Sequence, residues 1–485
     1  MSRKTPPLLQ RFFYLVLRPI ARQPSVPSDY LVAPTQHPLP TDREAWSVYW
    51  QAQSQPWRTE PEIDEKRQEY LVGRRSILPN IEQGIYPFKD IKLSRADVEW
   101  LLITHENGRG PVDWSDEGQR GREGLDVRGA NLRQVDLSNL PLAHFCGGMP
   151  RDAWDAFVDQ RAMYAVTEYA VTKEQRVTIA MLMAHADLIG AHLEEVNLTG
   201  AHLEEAHFCD VHLEGAYLIE AHLEGADLAF SHLKDADLVW AHLGGADLTG
   251  AHLEGASFDN AVLTISGDKQ GIGPHVVDTH WEETNLSVLD WAQVKILGDE
   301  YEAQQKKTSR GKVKDEATRL GQYQAAVRAN RQLAVALLNQ GLNEDSVRFA
   351  YRAQVLQKRV WWFQMIQHNR KLRQRMQAFG AWVFSWFLFL LAGYGYRLWR
   401  SFLAYILVVI GFTATYYLLG SSFKPSLSLV NALGLSMTSF HGRGFFPGVT
   451  QLNDTLTILA SLEAFVGLIL EATFIATLTQ RFFGK

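Results

Sequence analysis

From Leu188 the chain sets a large apolar residue at every fifth position, through Leu193, Leu198 and Leu203 to Phe258 and Leu263, sixteen positions in succession. Two residues before each stands Ala, Val or, once, Ser231. A period of five suits neither the 3.6 of a helix nor the 2.0 of a strand. It suits a coil with four flat faces, one pentapeptide per face and about twenty residues per turn, in which each turn completes its core only by stacking on its neighbours. The large residue fills the centre and the small one tucks in at the corner.

The recurring "ADL", "ANL" and "VNL" triplets resemble the motif of the pentapeptide-repeat family. That resemblance implies a right-handed quadrilateral β-helix. Earlier matches at Val127, Leu132, Leu137 and Leu142, and later ones at Val276, Trp281, Leu286, Trp291 and Ile296, extend the repeat domain to 126–297. The period lapses over about 146–183, where an excursion with one helix near Asp152–Tyr169 is expected, and Gly267–Gly273 reads as a shorter loop-out.

Within the sixteen-fold run, eight of the chain's sixteen histidines stand just before a core residue, in the slot that points outward. Folded onto a twenty-residue turn, His192, His212, His232 and His252 fall in one column. His202, His222 and His242 fall in another on the opposite face, and His207 on a third. Successive coils are expected about 4.8 Å apart. Glutamates run beside the columns: Glu194, Glu214 and Glu254 on the first face, Glu204 and Glu224 on the second. Three readings stay open: a stacking ladder, a pH-responsive surface in which imidazolium crowding opposes carboxylate attraction, or a metal site. A parallel ladder does not of itself supply converging ligands, so no metal or cofactor is expected.

The net charge of −6 hides an asymmetry: residues 186–264 hold fifteen acidic residues against Lys234 alone, a charge of −14, which leaves +8 for the remainder. The two cysteines, Cys146 and Cys209, exclude a disulfide framework and fit a reducing compartment. No nucleophile–base pair, metal cluster or phosphate loop is evident: His105 stands alone, and the glycine-rich "SGDKQGIGP" lacks the Gly-Lys-Ser/Thr of a phosphate cradle. An enzyme is not expected.

Flanking the repeat, residues 1–42 read as a proline-rich arm and 43–125 as a mixed, largely helical region in which "LSRADVEWLLI" begins with a Ser94/Asp97 capping pattern. Residues 298–377 read as an antiparallel helical hairpin broken at Gly341 and Asn343. "RKLRQR" then precedes a membrane domain over 378–485, as expected of a cytoplasmic flank. That domain comprises an interfacial or spanning segment at 378–396, spans at 401–423 and 456–478, and a pore-type loop at 426–448. The early "GYG" at Gly393–Gly395 has no pore helix before it and reads as a turn.

This last part resembles the two-transmembrane potassium-channel family. In that alignment Thr438 or Ser439 carries the filter threonine, Gly442 and Gly444 the two filter glycines, with Phe440 and His441 between and Pro447 after. Arg443 stands where the family has an aromatic residue. Glu463, Gly467 and Glu471 recur every four residues on one face of the inner helix, with Gly467 at the family's flexible point. Intramembrane carboxylates mark function by default, here pore lining or a pairing with Arg443. The resemblance implies a homotetramer in the lipid bilayer and a cation as the conducted species, while the basic flanks, Arg397, Arg400 and Arg481 with the connector, place the N-terminal bulk in the cytoplasm as an expectation. Two alternatives remain: a membrane-anchored scaffold whose column binds a protein partner, and a DNA mimic that binds topoisomerase. Nucleic acid itself is not an expected partner.

Overall fold

The computed structural model describes residues 38–39, 42–80, 85–148, 181–265, 270–308, 311–367, 371–394, 398–420, 427–442 and 455–483. The arm at 1–37, the insertion at 149–180 with its expected helix, and Arg443, Gly444 and Pro447 lie outside the described residues. The chain divides into two compact units, Met1–Ser346 and Val347–Lys485.

In the first unit the five-residue period becomes a solenoid. Parallel bridges join residues twenty apart, Asp187 to His207, His192 to His212, Asn197 to Tyr217 and His202 to His222, so each turn has four faces. Pairing is limited to isolated bridges, and no longer strand forms among the described residues. The reason is local. After each core residue the chain turns a corner, and the turn closes by a hydrogen bond such as Ala191 N–H to the Leu188 carbonyl at 2.9 Å. The residue just before each small corner residue has positive φ, as at Gly190 (65°), Glu195 (51°) and Trp240 (61°). A left-handed residue at the third turn position is the type II geometry. A face is therefore too short for more than one bridge.

The centre of the column is apolar and sealed. Leu188, Leu193, Leu203, Leu213, Leu223 and Leu233 are fully buried, as are Ala191, Ala201 and Ala221 at the corners. At roughly 1.5–3 kcal/mol for each fully buried leucine, this stack is the main source of the unit's stability. Asn131 bridges to Leu182 and Asp136 to Asp187, fifty-one residues apart, so the coil resumes in register beyond the insertion.

Both ends of the column are covered. At the N-terminal end lie α1 (Arg43–Ala52), α2 (Glu65–Arg75) and α3 (Arg95–Ile103), and Lys92 adds a bridge to Asn131. The expected capping box on α3 is present: Ser94 accepts from Asp97 N–H, and the Asp97 carboxylate accepts from Ser94 N–H at 2.8 Å. Glu99 is fully buried and accepts hydrogen bonds from Thr59 N–H, Glu60 N–H and Arg95 Nε. Arg95 also donates to the Asp136 and Ser138 carbonyls, tying this cap to the first coils. At the other end, short 3-10 turns at Leu286–Val288 and Trp291–Gln293 close the coil ahead of α4 (Gly298–Gln304) and α5 (Glu316–Asn339). Gln340 and Gln332 bind this end through Leu286 N–H, the Thr284 carbonyl and Asp278.

The second unit is helical: α6 (Asn343–Ile366, whose first turn falls in the first unit), α7 (Leu372–Ala392), α8 (Leu398–Gly420), α9 (Leu429–Phe440) and α10 (Thr455–Phe483). The break between α5 and α6 falls at Gly341, in left-handed backbone with φ 79°. Lys358 of α6 lies 3.6 Å over the Phe389 ring and 4.4 Å over that of Trp386, both on α7. The turn after α7 is made by Gly393 and Tyr394, both left-handed, while Gly395 lies outside the described residues. Among the described residues two helices are long and apolar enough to cross a membrane, Trp399–Leu419 within α8 and Thr455–Ala476 within α10.

Candidate functional site

The histidine columns stand as the twenty-residue turn predicts. His192, His212, His232 and His252 stack face to face with ring centroids 4.6, 4.8 and 5.1 Å apart, and His202, His222 and His242 with 4.7 and 4.8 Å. His280 adds a fifth ring to the first column, 4.4 Å from His252. Strict counting by twenty misses it, because the loop-out places the bridging partner of His252 twenty-eight residues on.

The neighbouring glutamates do more than run alongside. Each lies two residues after its histidine on the same face, and the carboxylate meets the imidazole Nδ1: 2.8 Å for His192–Glu194, 2.8 Å for His202–Glu204 and 3.0 Å for His252–Glu254. The Glu194 carboxylate, itself buried, holds the His192 pKa above its ordinary value. Glu224 sits differently. Its Oε1 lies 3.7 Å from His222 Nδ1 and 3.6 Å from His242 Nδ1, between two rungs of the ladder. The carboxylate raises the His222 pKa, while burial and the charge on His222 lower that of His242. The His222 and His242 rings stay parallel, 4.8 Å apart at 11°, and it is the Glu224 carboxylate that reaches the gap between them.

The stripe on α10 also faces one way, toward the short helix α9. Glu463 is fully buried and accepts hydrogen bonds from the hydroxyls of Tyr416 on α8 (2.7 Å) and Ser436 on α9. Gly467 lies against the end of α9, where an added Cβ would collide with the Phe440 carbonyl oxygen. Glu471 pairs with His441 Nδ1, just past that end. Three residues spaced by four thus meet Ser436, Phe440 and His441 in turn. Tyr416 and Ser436 were not legible as partners; the one available signal was that a buried carboxylate needs hydroxyl or basic partners.

The expected filter placement needs correction. Thr438, Ser439 and Phe440 form the last turn of α9, not an extended segment, and the helix stops at His441 and Gly442, the latter with φ 68°. Ser428 caps the other end by accepting from Asn431 N–H, and Thr438 returns its hydroxyl to the Gly434 carbonyl. Phe440 is buried edge-on against Tyr405 of α8, which holds this turn helical. Only His441 and Gly442, of the residues assigned to the filter, follow the helix within the described residues.

Fold and register define a β-helix-type solenoid of five-residue repeats, joined in one chain to a helical unit with two candidate membrane spans. The model of the pentapeptide repeats matches eight copies over residues 183–215, 208–245 and 241–264, and this segment is a pentapeptide-repeat solenoid. No curated protein matches the chain. Among solved structures, a pentapeptide repeat protein from the thylakoid lumen of Arabidopsis thaliana is 22% identical over 27% of this chain and 81% of its own, with a TM-score of 0.16. Rfr23 from the cyanobacterium Cyanothece 51142 is 22% identical over 33% and 85%, with a TM-score of 0.13. QnrB1, a plasmid-mediated fluoroquinolone resistance protein, is 14% identical over 37% and 86%, with a TM-score of 0.19. The fold assignment rests on the register of the bridges and the family match, not on these superpositions.

Proposed function

We propose that the chain is an integral membrane protein in which α8, α9 and α10 form a helix, half-helix, helix pore module that assembles as a homotetramer and passes a cation. The observation that carries this reading is the docking of α9. It is twelve residues long, too short to cross a hydrocarbon core of about 30 Å. It is nevertheless apolar, and it is fastened to both candidate spans through Tyr416, Ser436, Glu463 and Gly467. A half-helix at membrane depth is tolerated where it is buried in protein or lines a water-filled path. Its C-terminal end carries partial negative charge, which favours a cation there.

Further support comes from the outer surface of these helices, where Phe402, Leu407, Ile410 and Leu418 on α8 and Ile458, Phe465, Leu468 and Ile475 on α10 are exposed. An apolar surface of this extent calls for lipid or other subunits. The pentapeptide column is read as a cytoplasmic sensing or scaffold module, with no catalytic role.

A second reading, an anchored scaffold with a closed pore, draws support from the helical state of Thr438–Phe440, which is not the extended backbone of a filter. Orientation is tested with single cysteines: native Cys209, and Ser426→Cys in a chain lacking the native pair. In sealed cells an impermeant thiol reagent should reach position 426 from outside and Cys209 only after permeabilisation. Labelling of both from the same side contradicts the topology. A detergent-corrected mass of a monomer contradicts the tetramer.

A further inference from the structure

In the second histidine column Glu224 lies within 4 Å of two imidazole nitrogens, those of His222 and His242, whereas Glu214 in the first column meets His212 at 3.4 Å. His192, His202 and His252 each meet the glutamate two residues on at 2.8 to 3.0 Å, a hydrogen-bond distance that leaves no room for an ion. At His222, Glu224 and His242 the separations open to 3.7 and 3.6 Å, beyond hydrogen-bond range. The ligand atoms of the three residues all lie within 4.8 Å of one another.

The two carboxylate–nitrogen separations are close to what a metal ion requires. Two ligands at about 2.1 Å from a tetrahedral ion stand about 3.4 Å apart. The two carboxylate–nitrogen separations are within about 0.3 Å of that value, whereas the two nitrogens, up to 4.8 Å apart on parallel rings, need ring rotations that bring them closer by up to about 1.4 Å. Side chains that are only half-buried, on a rigid coil, can make them. The chemistry of the donors agrees: two imidazoles and one carboxylate form a set that suits zinc and other divalent transition ions. The second carboxylate oxygen, Oε2 of Glu224, is buried without a hydrogen-bond partner. An ion on this carboxylate would offset the cost of that unmet acceptor.

We infer that His222, Glu224 and His242 form a three-ligand site for a divalent transition-metal ion of the zinc class, with water completing its coordination. The site bridges two consecutive coils, since the two histidines belong to turns joined by the His222–His242 bridge. Binding would therefore clamp neighbouring repeats across one outer face of the column.

The test is a Zn²⁺ titration of the purified full-length protein in detergent by isothermal calorimetry, with Cu²⁺ electron paramagnetic resonance on the same preparation. One saturable site per chain is expected. Glu224→Gln and His242→Asn should each weaken it roughly tenfold or more, whereas Glu204→Gln should leave it unchanged. The Cu²⁺ spectrum should report two equatorial nitrogens. Wild-type affinity in Glu224→Gln, an equal loss in Glu204→Gln, or non-saturating uptake characteristic of any histidine-rich surface would overturn the assignment. A wild-type spectrum with one nitrogen or none would do the same without depending on how any variant folds.

Discussion

Ser436 on the short helix α9 donates its hydroxyl to the carboxylate of Glu463 on α10, and both side chains are fully buried. Tyr416 of α8 donates to the other oxygen of the same carboxylate at 2.7 Å, so one buried acid fastens three helices. The C-terminal half of the short helix is thereby held by a polar contact at Ser436 and, one turn on, by a glycine contact at Phe440. These contacts can be removed separately.

Removing the Tyr416 hydroxyl tests the first contact. Tyr416→Phe should cost about 1 kcal/mol in detergent thermal unfolding, the worth of one hydrogen bond. Glu463→Leu strands the buried Tyr416 hydroxyl, while Ser436 keeps the Val409 carbonyl as an acceptor at 3.1 Å, and it should cost more, about 2–3 kcal/mol, with earlier proteolysis between α9 and α10. Equal melting of all three proteins would show that the carboxylate does not fasten the helices.

Gly467 tests the second. A methyl group there runs into the Phe440 carbonyl, and neither backbone can give way freely, so Gly467→Ala should destabilise by about 1–3 kcal/mol. Gly411 on α8 has open space around its Cβ position, and Gly411→Ala should be neutral or slightly stabilising. A loss of stability of the same size at both positions would place the effect in helix flexibility rather than in the α9 contact.

The column's core makes a third prediction. Leu223 is fully buried midway along the repeat, and Leu223→Ala should cost about 3 kcal/mol in the unfolding of the first unit. Because each coil completes its core only through its neighbours, the loss should lower a single cooperative transition rather than split it. Circular dichroism melting resolves the two outcomes.

The His192–Glu194 pair gives the column a pH dependence whose sign is fixed. The carboxylate raises the His192 pKa in the folded state. The pair's contribution is therefore fully present below the unfolded histidine value of about 6.5 and is lost as pH rises through the folded value. Glu194→Gln should reduce that loss, so the melting temperatures of wild type and variant should converge as pH rises from about 6 to about 8. Parallel curves across that range would contradict the assignment.

Much of this architecture is legible in the sequence, and unevenly so. The solenoid is legible because its period matches no other regular structure, and Leu188 to Leu263 keep it without a break. The two histidine columns follow from the same arithmetic. His280 escapes it, since the loop-out changes the count between coils from twenty to twenty-eight. The inward stripe of Glu463, Gly467 and Glu471 is legible as a stripe, but its partners are not. No sequence period links a residue on one membrane helix to the hydroxyl it meets on another. The run Thr438-Ser439-Phe440 misleads for a physical reason: polar and aromatic residues before a glycine are compatible with an extended filter or a final helical turn. Packing of Phe440 on Tyr405 decides for the helix.

Ion flux through the full-length protein reconstituted in liposomes tests the central claim most directly, with Glu471→Ala and Gly467→Ala measured beside the wild type. Cation flux is expected in the wild type and an altered rate in both variants, because both substitutions act at the end of α9. Absence of flux from wild-type protein shown to be folded and tetrameric would contradict it, leaving the membrane helices as an anchor for the pentapeptide column.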